Sequence, residues 1–334
     1  MKRSCLRFVT GTIVALGVLG GGWLLSVAGL AGRPHMHNQW VEQAYAKKQA
    51  AAARTQGPRI LLVAGSSAMF GVDSKSLGER LGRPVINLAV NAGVLAPFII
   101  DHAVRVLRPG DWVVLPLEYP LYHDEATINR QFIDFQASHP LPVGEIGFVR
   151  WLKTMWLLPL DRVVEGYRGL PAGFRVTGLY GPQNLDERGD QRNSERVLRT
   201  DAMREAVTRS PPERYGAQAR TSNASWSRWR RFARQVEADG GCALFVPPAM
   251  LARPTYRSDP QERDYYRRLP ELARTHGLHY SGDPFNFMYE EDAFFDTNFH
   301  LTSEMRSVHT HRLADVLLPM IERHCRAPGA VARR

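Results

Sequence analysis

Cysteine is scarce in this chain. Only Cys5, Cys242 and Cys325 occur among 334 residues, and no pair has the C-x-x-C spacing. A disulfide-framed miniprotein and a cysteine-built zinc site are therefore excluded. Whether Cys242 pairs with Cys325 stays open, since a bridge needs a Cα separation near ~5.5 Å and two separate thiols fit the sequence as well. Phosphate-cradling motifs are missing too: Gly65–Gly71 (GSSAMFG) contains neither G-x-G-x-x-G nor a P-loop Gly-Lys-Ser/Thr, which argues against nucleotide binding. No second apolar run reaches membrane length, because the nearest, Ile146–Leu160, is interrupted by Arg150 and Lys153.

The middle of the chain also lacks a charge surplus. The formal net charge is +10, but residues 1–57 carry seven basic side chains against one acidic, and 323–334 carry four basic and none acidic. That leaves 58–322 with 32 of each sign. A neutral body gives no sign of a strongly basic nucleic-acid face, local patches aside, so no nucleic-acid partner is expected. The terminal cations read as topology. Arg33, Lys47, Lys48, Arg54 and the basic tail at 326–334 are placed to touch anionic lipid or glycan.

What is present begins with an anchor. Lys2, Arg3 and Arg7 precede a charge-free apolar run of 23 residues, Phe8–Leu30, long enough to cross ~30 Å of hydrocarbon as a helix. Cations in front keep that end cytoplasmic and send the rest out. A cleaved signal peptide is the competing reading, with Ala28, Gly29, Ala31 and Gly32 as processing sites, although signal h-regions span only ~7–15 residues. The expectation is a single-pass inner-membrane protein whose bulk is periplasmic. Residues 1–32 form the anchor or signal, and 33–57, alanine-rich and polar, a helical stalk.

From Pro58 short apolar runs alternate with amphipathic stretches. Strands are predicted at Arg59–Ala64, Pro84–Val90, Asp111–Leu117, Cys242–Val246 and Leu278–Tyr280. Helices are predicted at Ser74–Leu81, Ala96–Leu107, Ser225–Ala238, Gln261–His276 and Thr302–Arg323. This alternation predicts an α/β fold, a flavodoxin-like three-layer sandwich on a mainly parallel sheet of about five strands. The domain spans 58–325, with an Arg-, Gly- and Pro-rich insertion or cap at about 119–223.

Parallel sheets bind ligands beyond the carboxyl ends of their strands. Ser67 follows the first strand, Asn87, Asn91 and Gly93 the second, and Glu118 the third. Asp296-Thr297-Asn298-Phe299-His300 lies between the last strand and the last helix. Topology thus gathers Ser67 and His300 on one rim, where a histidine can take the proton that makes a hydroxyl nucleophilic. The bland alternatives are local: Ser67 as a helix N-cap, Asp296 and Asn298 as turn residues, and His300 as a capping group.

With those residues in view, the chain resembles the SGNH (GDSL-like) hydrolase superfamily over roughly 58–120 and 225–323. Gly65-Ser66-Ser67 stands where that family has Gly-Asp-Ser, as in a branch of membrane-anchored envelope O-acyltransferase and D-alanylation accessory proteins. The resemblance implies Ser67 as nucleophile, His300 as base and Asp296 as its orienting carboxylate. It also implies an oxyanion hole made by the N–H groups of Ser67 and Gly93, the latter from Asn91-Ala92-Gly93. Two positions depart from the pattern. Glu118 replaces an asparagine donor, and a carboxylate there repels a developing oxyanion; Asp296 stands four before His300 rather than three.

Other candidates have plainer readings. His309 and His311 point to different faces of one helix, and His276 and His279 have no carboxylate at a recognised metal-ligand spacing, so no metal site is expected. Trp226 and Trp229 read as a sheet-packing face with Arg228, Arg230 and Arg231 solvated; Phe148, Trp151, Met155 and Trp156 read as core, with a membrane-facing helix kept open by the anchor. The leading expectation is a cofactor-free serine esterase or O-acyltransferase acting on an envelope glycan or exopolysaccharide, working with a membrane-bound acyltransferase. The alternative is a catalytically silent SGNH-like scaffold.

Overall fold

The computed structural model describes residues 2–123, 127–219 and 224–325; the basic tail at 326–334 lies outside them. Two helices come first, α1 (Lys2–Ala28) and α2 (Gln39–Arg54). Next come β1 (Ile60–Leu62), α3 (Ser66–Gly71), α4 (Ser74–Leu81), β2 (Val85–Asn87), α5 (Leu95–Val104) and β3 (Trp112–Leu115). Six helices follow without a strand: α6 (Arg130–Ser138), α7 (Val143–Ile146), α8 (Phe148–Leu157), α9 (Leu160–Arg168), α10 (Asp201–Arg209) and α11 (Tyr215–Gln218). The α/β rhythm then resumes with α12 (Ala224–Ala238), β4 (Cys242–Phe245), β5 (Met250–Leu251), α13 (Thr255–Ser258) and α14 (Pro260–Thr275). Last are β6 (His279–Tyr280), β7 (Met288–Tyr289) and α15 (Ser303–His324).

The chain divides into two compact units. The larger, Trp40–Thr127 with Val176–Arg334, holds a five-stranded parallel sheet in the order β2-β1-β3-β4-β6. All residues of β1 to β4 are buried, as expected of strands covered by crossover helices. Assigned strands are shorter than the apolar runs, yet ladder bonds outlast them: Val63 N–H reaches Val114 O (2.9 Å) and Leu88 N–H reaches Leu62 O (2.9 Å). Helix ends follow local chemistry. Asp73 caps α4 by accepting from Ser76 N–H, and Gly82, at φ 73°, closes it in the left-handed conformation.

Three expectations about this unit need correction. Residues 39–54 are helical but not a free stalk, because Val41, Ala44, Tyr45, Lys48, Ala51 and Ala52 are buried. A helix with that many buried positions is part of a core. Lys48, expected to touch anionic lipid or glycan, is instead fully buried and donates to Ala89 O. Trp226 and Trp229 are fully buried as expected, but Arg228 is buried with them rather than solvated. The question left open by spacing is answered: Cys242 and Cys325 form a disulfide with Cα atoms 5.4 Å apart.

The smaller unit is helical, Met1–Gln39 with Ile128–Arg175, so the expected insertion at 119–223 is shared between the two units. Val27 and Leu30 pack with Ile133, Ala137, Met155 and Leu158. Trp23 Nε1–H donates to Met155 O (3.1 Å), and Asn38 Nδ2–H to Asp134 O (2.8 Å). Within α1, Cys5–Ala28 is long and apolar enough to cross a membrane, alone in this among the described residues. Met155 is buried and Trp151 half-buried, but Phe148 and Trp156 are 63% and 61% exposed, against the expectation of a core.

Candidate functional site

Three loops leaving the carboxyl ends of β1, β2 and β3 meet at Gly65. A Cβ on Gly65 would stand 2.5 Å from Ala92 N, Ala92 Cβ and Glu118 Oε1, so only glycine admits this approach. Ser67 is the second residue of α3 and is buried. Its N–H donates to Glu118 Oε1 (2.8 Å), and Gly65 N–H donates to Glu118 Oε2 (2.9 Å). Burial pushes the Glu118 carboxyl up from the ordinary range, and the amides of Ser67 and Gly65 pull it partly back. The Ser67 hydroxyl lies close enough to the carboxylate to favour its ionised form but makes no well-formed hydrogen bond, and we read Oγ as unpaired.

The second half of the rim is a hairpin. Phe294 and Leu301 form an antiparallel bridge, and Phe295 N–H donates to His300 O (2.7 Å). This closed turn brings Asp296 and His300 together despite their four-residue spacing: Asp296 Oδ1 lies 2.8 Å from His300 Nδ1. Tyr180 Oη–H donates to Asp296 Oδ2. Burial raises the Asp296 carboxyl, but His300 and Tyr180 outweigh it and hold the group below its ordinary value. An ionised Asp296 takes the proton on Nδ1 and leaves Nε2 of His300 as the basic nitrogen. The imidazole stacks on Phe70, with centroids 4.1 Å apart and planes 5° apart. Phe70 is three residues after Ser67 in α3, so one short helix serves both halves. No Ser67–His300 hydrogen bond is formed.

The oxyanion hole differs from expectation. Ser67 N–H is held by Glu118, and Gly93 N–H donates to Asn91 Oδ1 (2.5 Å), closing an Asx-type turn. Both expected donors thus already have acceptors. Asn87 is structural: its Nδ2 donates to Ala68 O (2.9 Å) and Asp190 Oδ1 (2.8 Å).

Sequence reasoning missed Tyr180, one of many aromatics in the insertion, with no motif to mark it. It also missed Asp190, which accepts from Ser74 N–H (2.6 Å) and Oγ–H (2.7 Å). His309 is buried against Tyr289 Oη (3.0 Å), and burial pulls its pKa down to about 3. Among the described residues no group of three or more His, Cys, Asp or Glu side chains is placed to hold a metal ion.

Fold and site define an α/β protein with a parallel five-stranded sheet, an N-terminal apolar helix, and a half-buried Asp296 paired with a buried His300, alongside a buried Ser67. Compared with family models, curated proteins and solved structures, the chain matches none.

Proposed function

We propose that this is a membrane-anchored, extracytoplasmic SGNH-like serine esterase or O-acyltransferase built on a three-layer sandwich. The observation that carries the reading is the Asp296–His300 hydrogen bond, completed by Tyr180, beside an unpaired buried Ser67 hydroxyl. His300 Nε2 accepts the Ser67 proton as Oγ attacks an ester carbonyl. Asp296 holds the tautomer and stabilises the imidazolium that forms. Collapse of the tetrahedral adduct expels the alcohol, which takes the proton back from His300, and leaves an acyl-serine. A glycan hydroxyl or water, deprotonated by His300, then accepts the acyl group.

For the adduct's oxygen to be stabilised, Glu118 must release the Ser67 N–H or become protonated, because a buried carboxylate opposes a second negative charge. The resting arrangement is closed, and substrate entry is the event that opens it. The Cys242–Cys325 disulfide supports an oxidising compartment, and with the α1 span it favours an inner-membrane protein facing the periplasm. Envelope polysaccharide is the acceptor class this placement favours, with a membrane-bound acyltransferase as supplier of acyl groups.

The Glu118 clamp also favours a second reading, a silent scaffold that binds glycan without turning it over. Stopped-flow hydrolysis of p-nitrophenyl acetate separates the two. The enzyme reading expects a nitrophenol burst that Ser67→Ala abolishes. Absence of a burst in folded wild type, or a burst surviving in Ser67→Ala, rejects Ser67 as the nucleophile.

A further inference from the structure

Helix α8 is inside-out for a soluble protein. Its polar Arg150 and Thr154 are buried, the Arg150 guanidinium lying 4.2 Å over the Phe132 ring, whereas Phe148, Val149, Trp156 and Leu157 are exposed. Helix α9 adds apolar exposure, with Leu160 65% exposed beside exposed Val164 and Tyr167, although its Asp161 and Arg168 are exposed too. Contiguous apolar surface on this scale marks an interaction site, and what covers it follows from α1.

Helix α1 meets α8 in its last third, where Trp23 donates to Met155 O and Gly20 and Leu24 share a groove with Leu152 and Trp156. Trp156 Cζ3 lies 4.0 Å from where a Gly20 Cβ would be. Gly20 precedes Ala28, the end of the span, by eight residues, a rise of ~12 Å at 1.5 Å per residue. That is well inside a hydrocarbon core of ~30 Å. If α1 crosses the membrane, a side chain touching Gly20 is at hydrocarbon depth. Between the helices runs an apolar groove of about 720 Å³, with Gly20 and Leu24 on one wall and Leu152, Trp156 and Leu157 on the other. Its one charged residue, Lys153, has a stem long enough to carry its ammonium to the headgroups.

We propose that α8 and α9 lie within the leaflet at the C-terminal end of α1, their exposed faces covered by lipid and the α1–α8 groove filled by a lipid acyl chain. The inference rests on the reading of α1 as a membrane span, and the test separates the two. Full-length protein carrying Cys5→Ser is placed in phosphatidylcholine–phosphatidylglycerol nanodiscs. A nitroxide is attached in turn to Trp156→Cys, Leu160→Cys, Val14→Cys in α1, and Val197→Cys, which is 87% exposed in the larger unit. Each of these side chains is more than half exposed. The labels at 156 and 160 should collide more with oxygen than with a water-soluble nickel chelate, as at 14, with the reverse at 197. Nickel access at 156 and 160 with 14 still in lipid overturns the inference and spares the anchor. Nickel access at 14 as well removes the anchor and the inference together. Shielding of 156 from both reagents means that protein covers the face, a second copy in this preparation, and overturns the lipid assignment.

Discussion

The two halves of the candidate rim are built on opposite principles. In the hairpin half, Asp296 is held ionised by partners that want it charged, His300 and Tyr180, and burial loses to them. In the Gly65–Ser67 half, Glu118 is buried with two main-chain amides as its partners, and burial wins. Under the proposed function, the first carboxylate supports an imidazolium and the second stands where a substrate oxygen would have to sit. On that reading an Asp–His pair alone does not make an open site, and what surrounds Ser67 decides whether the pair can act on it.

The comparison can be broken from either side. Asp296→Asn should be the most damaging change, because an amide there favours the wrong histidine tautomer; esterase turnover should fall by ~10⁴-fold with the fold intact, measured as initial rates. Gly65→Ala attacks the other half sterically. With its Cβ 2.5 Å from Ala92 N, the loops must part, at about 2–3 kcal/mol of stability in urea unfolding. Tyr180→Phe removes one charge-assisted hydrogen bond from Asp296 and should cost ~10-fold in rate, ~1.4 kcal/mol, without changing substrate affinity.

The smallest effect is the sharpest test of opposition. Asp296 has a lowered pKa, so its contribution to stability is present above its ordinary 3.8 and fades as pH falls through the folded value. Glu118 has a raised pKa, so its contribution is present below its ordinary 4.5 and fades as pH rises through the folded value. In urea titrations, Glu118→Gln should therefore gain on wild type as pH rises above 4.5, whereas Asp296→Asn should close its deficit as pH falls below 3.8. Parallel trends in the two variants would remove the distinction.

Much of this frame was legible because it depends on near neighbours in sequence. Asp73 and Gly82 bracket α4 by capping chemistry, and a run as short as RILLVA between Pro58 and Gly65 reads as a buried strand rather than a helix. Alternation and the strand-end rule together placed Ser67, Gly93, Glu118 and His300 near one edge. What stayed hidden depends on contacts between distant segments. The Phe294–Leu301 bridge makes the four-residue Asp–His spacing workable, but neither residue advertises a hairpin. Tyr180 reaches Asp296 from 116 positions away. The grip of Glu118 on two amides is invisible because amides carry no residue identity. Arg228 and Trp156 reversed their expected exposures because helical periodicity tells faces apart without telling which one finds a partner.

Under the proposed function these halves form one acyl-transfer site, which Glu118 holds closed. Fluorophosphonate labelling of folded wild type and Glu118→Gln, side by side at neutral pH with Ser67→Ala as the blank, tests it most directly. Both should label at Ser67, and Glu118→Gln should label faster by ~10-fold or more, since removing the carboxylate relieves at least ~1.4 kcal/mol of repulsion on the developing oxyanion. If neither protein labels, or if Glu118→Gln labels more slowly than wild type, the account is contradicted.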